Sequence, residues 1–147
     1  MEGVTAAAIV ALWAAGEMPV ECGLFRADGT GREADCDDAN LTGFTLGEPL
    51  DLDALMAEDP EWTACAYVFA EVSLPDGSGR LVSGGGSHGS DGFFARIDFD
   101  GSLVWLVHLF CNELVVIAVD WPLATLTNNC GNSLTVDLGD PDFGPGR

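Results

Sequence analysis

An α+β fold is the class this sequence predicts: an antiparallel sheet meander in the C-terminal two-thirds, with two short N-terminal helices packed on one face. Three observations carry that prediction. Apolar residues fall at helical spacing in two short segments, Ile9, Leu12, Trp13 and Leu52, Leu55, Met56. From Thr63 onward the period becomes that of strands, most cleanly over residues 92–99, where Phe93, Ala95, Ile97 and Phe99 alternate with Phe94, Arg96 and Asp98. Turn sequences separate these strands, notably Pro75-Asp76-Gly77-Ser78-Gly79 and Asp100-Gly101. A length of 147 residues with 48 % hydrophobic content fits one domain. Its expected parts are a helical and acidic-loop portion over 1–62, a sheet over 63–138 and a frayed tail over 139–147.

The first helix has legible ends. Thr5 is placed to cap it, Val4 and Ile9 to form a hydrophobic staple, and Gly16 to stop it. Residues 18–25 read as one short strand, and residues 28–40, rich in glycine and acids, as a solvated loop. The second helix is expected over 51–58, with Asp51 and Asp53 at the positive end of its dipole and Pro60 limiting its extension. Strands follow over 66–74, 80–83, 92–99, 103–110, 113–119, 123–127 and 133–138.

Two of these strands are apolar on both sides. Leu103, Trp105, Val107 and Leu109 oppose Val104, Leu106, His108 and Phe110; Leu114, Val116 and Ala118 oppose Val115, Ile117 and Val119. A sheet with one wet face would alternate polar and apolar residues there. Both strands are therefore expected to be central, with helices on one face. The other face must meet a second sheet layer, the N-terminal segment or another chain, a homodimer being one form.

Charge narrows the function classes. Asp and Glu number 24 against 5 Lys and Arg, all arginine, for a net charge of −19. Phosphate recognition rests mainly on Lys and Arg, so a nucleic-acid binder is disfavoured. The apolar run over residues 4–15 follows Glu2 and is too short for a membrane span, which predicts a cytoplasmic protein without membrane contact. Cys22, Cys36, Cys65, Cys111 and Cys130 lack CxxC spacing and read as buried, reduced thiols, although a Cys22–Cys36 bridge could close the acidic loop.

Motifs for catalysis or cofactors are weak. Residues 84–89, Gly84-Gly85-Gly86-Ser87-His88-Gly89, match GxGxxG, but no helix follows to hold a pyrophosphate, so a flexible hairpin loop is expected. Ser87, His88, Ser90 and Asp91 are hydrolytic residue types crowded into one loop, which is a poor platform for a triad. His88 reads as an exposed loop histidine and His108 as a satisfied core or interface histidine. Asp35, Asp37, Asp38 and Asn40 resemble part of a calcium loop, but position 5 would be Ala39 and position 12 Leu46. No catalytic residue, metal or cofactor is implied.

The acids themselves are the most informative feature. Residues 1–61 carry 14 acids and two arginines, a net of −12; residues 62–147 carry a net of −7. Solvated surface is the plain reading of such a run. Against it, Glu58, Asp59 and Glu61 crowd the end of the second helix, where negative charge is disfavoured by about 0.3–1 kcal/mol each. The expected function is a small acidic inhibitor of a basic protein, in concrete form an immunity-type protein that neutralises a toxin such as a nuclease. Its expected surface comprises Asp35, Asp37, Asp38, Asp51, Asp53, Glu58, Asp59 and Glu61, with Trp62 as aromatic anchor. The alternatives are a nucleic-acid mimic that blocks a DNA-binding protein, a small enzyme using residues 87–91, and a subunit of a larger assembly.

Overall fold

Eleven strands and two helices form three layers in the computed structural model, which describes residues 7–37, 40–75 and 77–140. In chain order these are α1 (Ala8–Ala14), β1 (Glu17–Pro19), β2 (Gly23–Arg26), β3 (Gly31–Asp35), β4 (Thr45–Pro49), α2 (Leu52–Glu58), β5 (Thr63–Ser73) and β6 (Gly79–Gly86). Then come β7 (Gly92–Asp98), β8 (Leu103–Leu109), β9 (Leu114–Asp120), β10 (Leu123–Asn128) and β11 (Ser133–Asp137). Every ladder is antiparallel. One sheet has eight strands in the order β1-β5-β6-β7-β8-β2-β3-β4, and the other has the order β11-β10-β9.

The middle of the large sheet (β6, β7, β8 and β2) is buried on both faces, which explains its two-sided apolar strands. On one face Phe93, Ala95, Ile97 and Leu106 meet Ile9 and Leu52 of the helices, with Trp13 edge-on to Phe93 at 5.7 Å. On the other, Leu24, Leu81, Phe94, Val107 and Leu109 meet Leu114, Ala124, Leu126, Leu134 and Val136 of the small sheet. A second sheet layer is thus what covers the far face. Each fully buried Phe or Leu contributes about 1.5–3 kcal/mol, so two cores give a chain of this length ample driving force.

Several expectations need correction. The 1–62 portion is not helix and loop alone, since it supplies four strands. Residues 18–25 are two strands, β1 beside β5 and β2 beside β8. The supposed loop over 28–40 contains β3, whose Ala34 is buried while Glu33 and Asp35 point to solvent. Pairing with β2 and β4 holds that polar strand, and its own propensity does not. The meander also divides. It runs β5-β6-β7-β8 in one sheet, and then the chain crosses at Cys111 and Asn112 (φ 63°) to begin the second sheet. Asn128 fixes this corner by donating to the Cys111 carbonyl and accepting from the backbone N–H groups of Cys130 and Asn132.

The strand expected to be central beside β8 is instead an edge. β9 ends the small sheet and leaves Val116 and Ala118 exposed. In β8 a register shift opposite Arg96 and Ile97 turns Leu103 onto the helix side with Leu106, away from Trp105 and Val107. Phe99 falls in the turn after β7 and is exposed rather than sharing the core with Ile97.

Helix ends follow a mixed pattern. Asp51 caps α2 through Oδ1, which accepts from the Ala54 N–H at 3.1 Å. For α1 the expected Val4 and Thr5 lie outside the described residues; Ala7 occupies the N-cap position, and Asp53 of α2 accepts from the Ala8 N–H at 2.7 Å. Gly16, at φ 76°, ends α1 by a route only glycine takes readily.

Candidate functional site

The sequence-predicted acids do not form one cluster. Asp35 and Asp37 stand at the end of β3, and Asp35 shares a groove of about 380 Å³ with Glu21, Cys22 and Glu33. Glu58, Asp59, Glu61 and Trp62 lie on the link from α2 into β5, and in the strand order β5 and β3 are separated by β6, β7, β8 and β2. Asp38 lies outside the described residues. Some carboxylates have local tasks. Asp51 and Asp53 cap the two helices, Asp35 accepts from the Cys36 N–H, and Asp37 accepts from the Thr42 hydroxyl.

The link from α2 to β5 differs in carrying apolar surface beside its charge. Glu58, Asp59 and Glu61 are exposed, Trp62 is 47 % exposed, and the next strand continues with Tyr67, Val68 and Phe69, each about half exposed. The glycines of β6 cause this exposure. Tyr67 pairs with Gly85 and Val68 with Gly84, so neither has a cross-strand side chain to pack on. A register shift between Val68 and Ala70 then makes Phe69 a bulge residue and turns it outward. Sequence reading missed Tyr67, Val68 and Phe69 because the signal lies in a pairing partner fifteen or more positions away.

The glycine run is not a flexible loop. Gly84, Gly85 and Gly86 are buried strand residues, and only residues 87–90 form the exposed turn. A Cβ at Gly84 would lie 1.7 Å from the Tyr67 carbonyl oxygen, and one at Gly86 would lie 2.1 Å from Asp91 Oδ2. These positions need glycine for close packing, which leaves no role for them as a phosphate cradle.

Hydrolytic residue types also separate. Ser87 and His88 are exposed on the turn, and Ser87 Oγ accepts from the Cys65 N–H at 3.0 Å. Asp91 and His108 are fully buried and face each other, Nε2 to Oδ2, at 3.3 Å. His108 Nδ1 lies 3.2 Å from the Glu21 carbonyl oxygen. Nε2 faces the Asp91 carboxylate and Nδ1 the Glu21 carbonyl, so neither ring nitrogen is left to activate a nucleophile. Burial raises the Asp91 carboxyl, but the hydrogen bond and charge of His108 outweigh it and hold the group below its ordinary range. The expectation of a satisfied core histidine fits this arrangement.

Three of the arginines have partners within the chain. Arg32 donates to the Gly47 and Leu46 carbonyls, Arg80 pairs with Glu71 at 3.1 Å, and Arg96 donates to Leu138 O and Ser78 Oγ while lying over the Trp121 ring. None of the five cysteines is in a disulfide. The expectation of buried thiols holds for Cys111, whose burial pushes its thiol well up, whereas Cys65 and Cys130 are exposed. Among the described residues no group of three His, Cys, Asp or Glu could hold a metal ion, and no helix is long and apolar enough to cross a membrane. Comparison with protein-family models, with curated proteins and with solved structures finds no match.

Proposed function

We propose that the chain is a protein-binding module that captures a cationic protein through the strip from Glu58 to Phe69. Its concrete form is an inhibitor or immunity-type protein against a basic toxin such as a nuclease. The carrying observation is the junction of Glu58, Asp59 and Glu61 with exposed Trp62, Tyr67, Val68 and Phe69. Binding surfaces combine aromatic anchors with a polar rim, and opposite potentials accelerate encounter. A net charge of −19 with Arg32, Arg80 and Arg96 tied internally supports a cationic partner over an anionic one.

Mimicry of a nucleic acid ranks lower, because duplex mimicry needs long rows of carboxylates and these acids gather at a helix end and a hairpin end. An enzyme built on residues 87–91 ranks lower because Asp91 turns inward and pairs with His108 in the core, away from exposed Ser87 and His88. The test is affinity capture from the native source with a salt-graded wash. The chain should retain a basic protein that salt releases, and a variant carrying Glu58→Lys, Asp59→Lys and Glu61→Lys should lose it. Identical capture by the two would mean that this strip is only solvated surface.

A further inference from the structure

We propose that the partner docks as an extended cationic segment, which adds a strand to the open edge of β5 over residues 67–73. The inference rests on the capture reading above and gives its partner a conformation. β5 has eleven residues, but its outer edge is covered by β1 only at Thr63, Ala64 and Cys65, and the Ala66 N–H reaches back to the Gly16 carbonyl. Among the described residues no strand pairs with the rest of that edge. An edge of this kind is a template for a further strand, and folded proteins usually blunt it, often with lysine. This chain contains no lysine, and the edge segment carries one charge, Glu71.

Charge decides between occupants. A second copy would bring another −19, so self-pairing is opposed. A segment bearing arginine or lysine is drawn by that net charge; Glu58, Asp59 and Glu61 precede the β1-covered start of the strand, and Asp120 ends β9, which packs against β5. The bulge at Phe69 breaks the edge into short runs, so backbone rungs alone are weak there. Tyr67, Val68 and Phe69 supply the apolar contacts that an added strand would cover.

The experiment is amide hydrogen exchange on the full chain with a synthetic peptide of alternating arginine and valine. Two control peptides carry glutamate in place of arginine, or N-methyl groups on alternate amides. Slower exchange within residues 67–73, produced by the arginine peptide alone and lost at high salt, is the expected result. Equal binding by the N-methylated peptide, protection elsewhere, or a concentration-dependent dimer protected along β5 would each overturn strand addition. If the peptide leaves β5 unprotected while capture still depends on Glu58, Asp59 and Glu61, strand addition fails and the binding function stands. If the triple lysine variant captures the same proteins as the native chain, the parent reading fails.

Discussion

At the scale of single residues, the Asp91–His108 pair carries the largest consequence. Both side chains are fully buried, and Asp91 Oδ1 has no hydrogen-bond partner among the described residues, so the carboxylate leans on the imidazole ring for most of its compensation. Removing one partner of a buried pair leaves the other uncompensated, and Asp91→Ala should destabilise the fold by about 3–5 kcal/mol in chemical denaturation. Asp91→Asn can keep a neutral hydrogen bond to the ring and should cost less. The sign of the pH dependence follows from the lowered carboxyl of Asp91. A group whose folded value lies below its unfolded one stabilises the fold fully above the ordinary carboxyl range, about pH 4, and loses that contribution as pH falls through the folded value. The native chain should therefore lose stability more steeply than Asp91→Asn below about pH 4. Parallel acid limbs for the two would show that ionised Asp91 adds nothing to the stability of the fold. Gly86 belongs to the same device, since its missing Cβ is the space the Asp91 carboxylate occupies.

Among elements, the two helices are short enough that their ends matter more than their lengths. Each has seven residues, below the length at which an isolated helix is stable in water. Asp53 accepts the first free N–H of α1 from its place in the first turn of α2, so one carboxylate favours its own helix dipole and caps its neighbour. Asp53→Ala should cost about 0.5–2 kcal/mol, and thermal unfolding of the two chains would measure it. A loss confined to Asp51→Ala, with Asp53→Ala silent, would remove the cross-helix cap from the account. The strands show the complementary rule. β3 is polar in sequence yet ordered by its neighbours, whereas β5 is apolar in sequence yet left open, because β6 presents glycine where side chains would otherwise cover it.

Over the whole molecule, the opposing terms are two apolar cores and an uncompensated surface charge. One core lies on each face of the eight-stranded sheet. A net charge of −19 repels itself in the folded state, and added salt screens exposed charges that lie farther apart than roughly 8–10 Å. The thermal midpoint at neutral pH should accordingly rise as sodium chloride is added from low ionic strength. A falling midpoint would mean that favourable ion pairs outweigh the repulsion. Capture of a cationic partner should show the opposite trend and weaken with salt, so the two measurements separate self-repulsion from recognition.

The fold class, the strand-rich C-terminal part, the α2 cap at Asp51 and the need for something on the far face of β8 were legible in residue order alone. Periodicity, turn chemistry and two-sided apolar character are local properties that survive without coordinates. Tertiary structure decided what neighbours decide: that β9 begins a second sheet, that β3 is a strand, that Gly84–Gly86 are packed rather than flexible, and that Asp91 reaches His108. It also dispersed the acids, leaving Glu58, Asp59, Glu61 and Trp62 beside an apolar edge that no single segment announces. Cross-strand pairing joins residues distant in the chain, so which side chain is covered depends on what a far segment places opposite it.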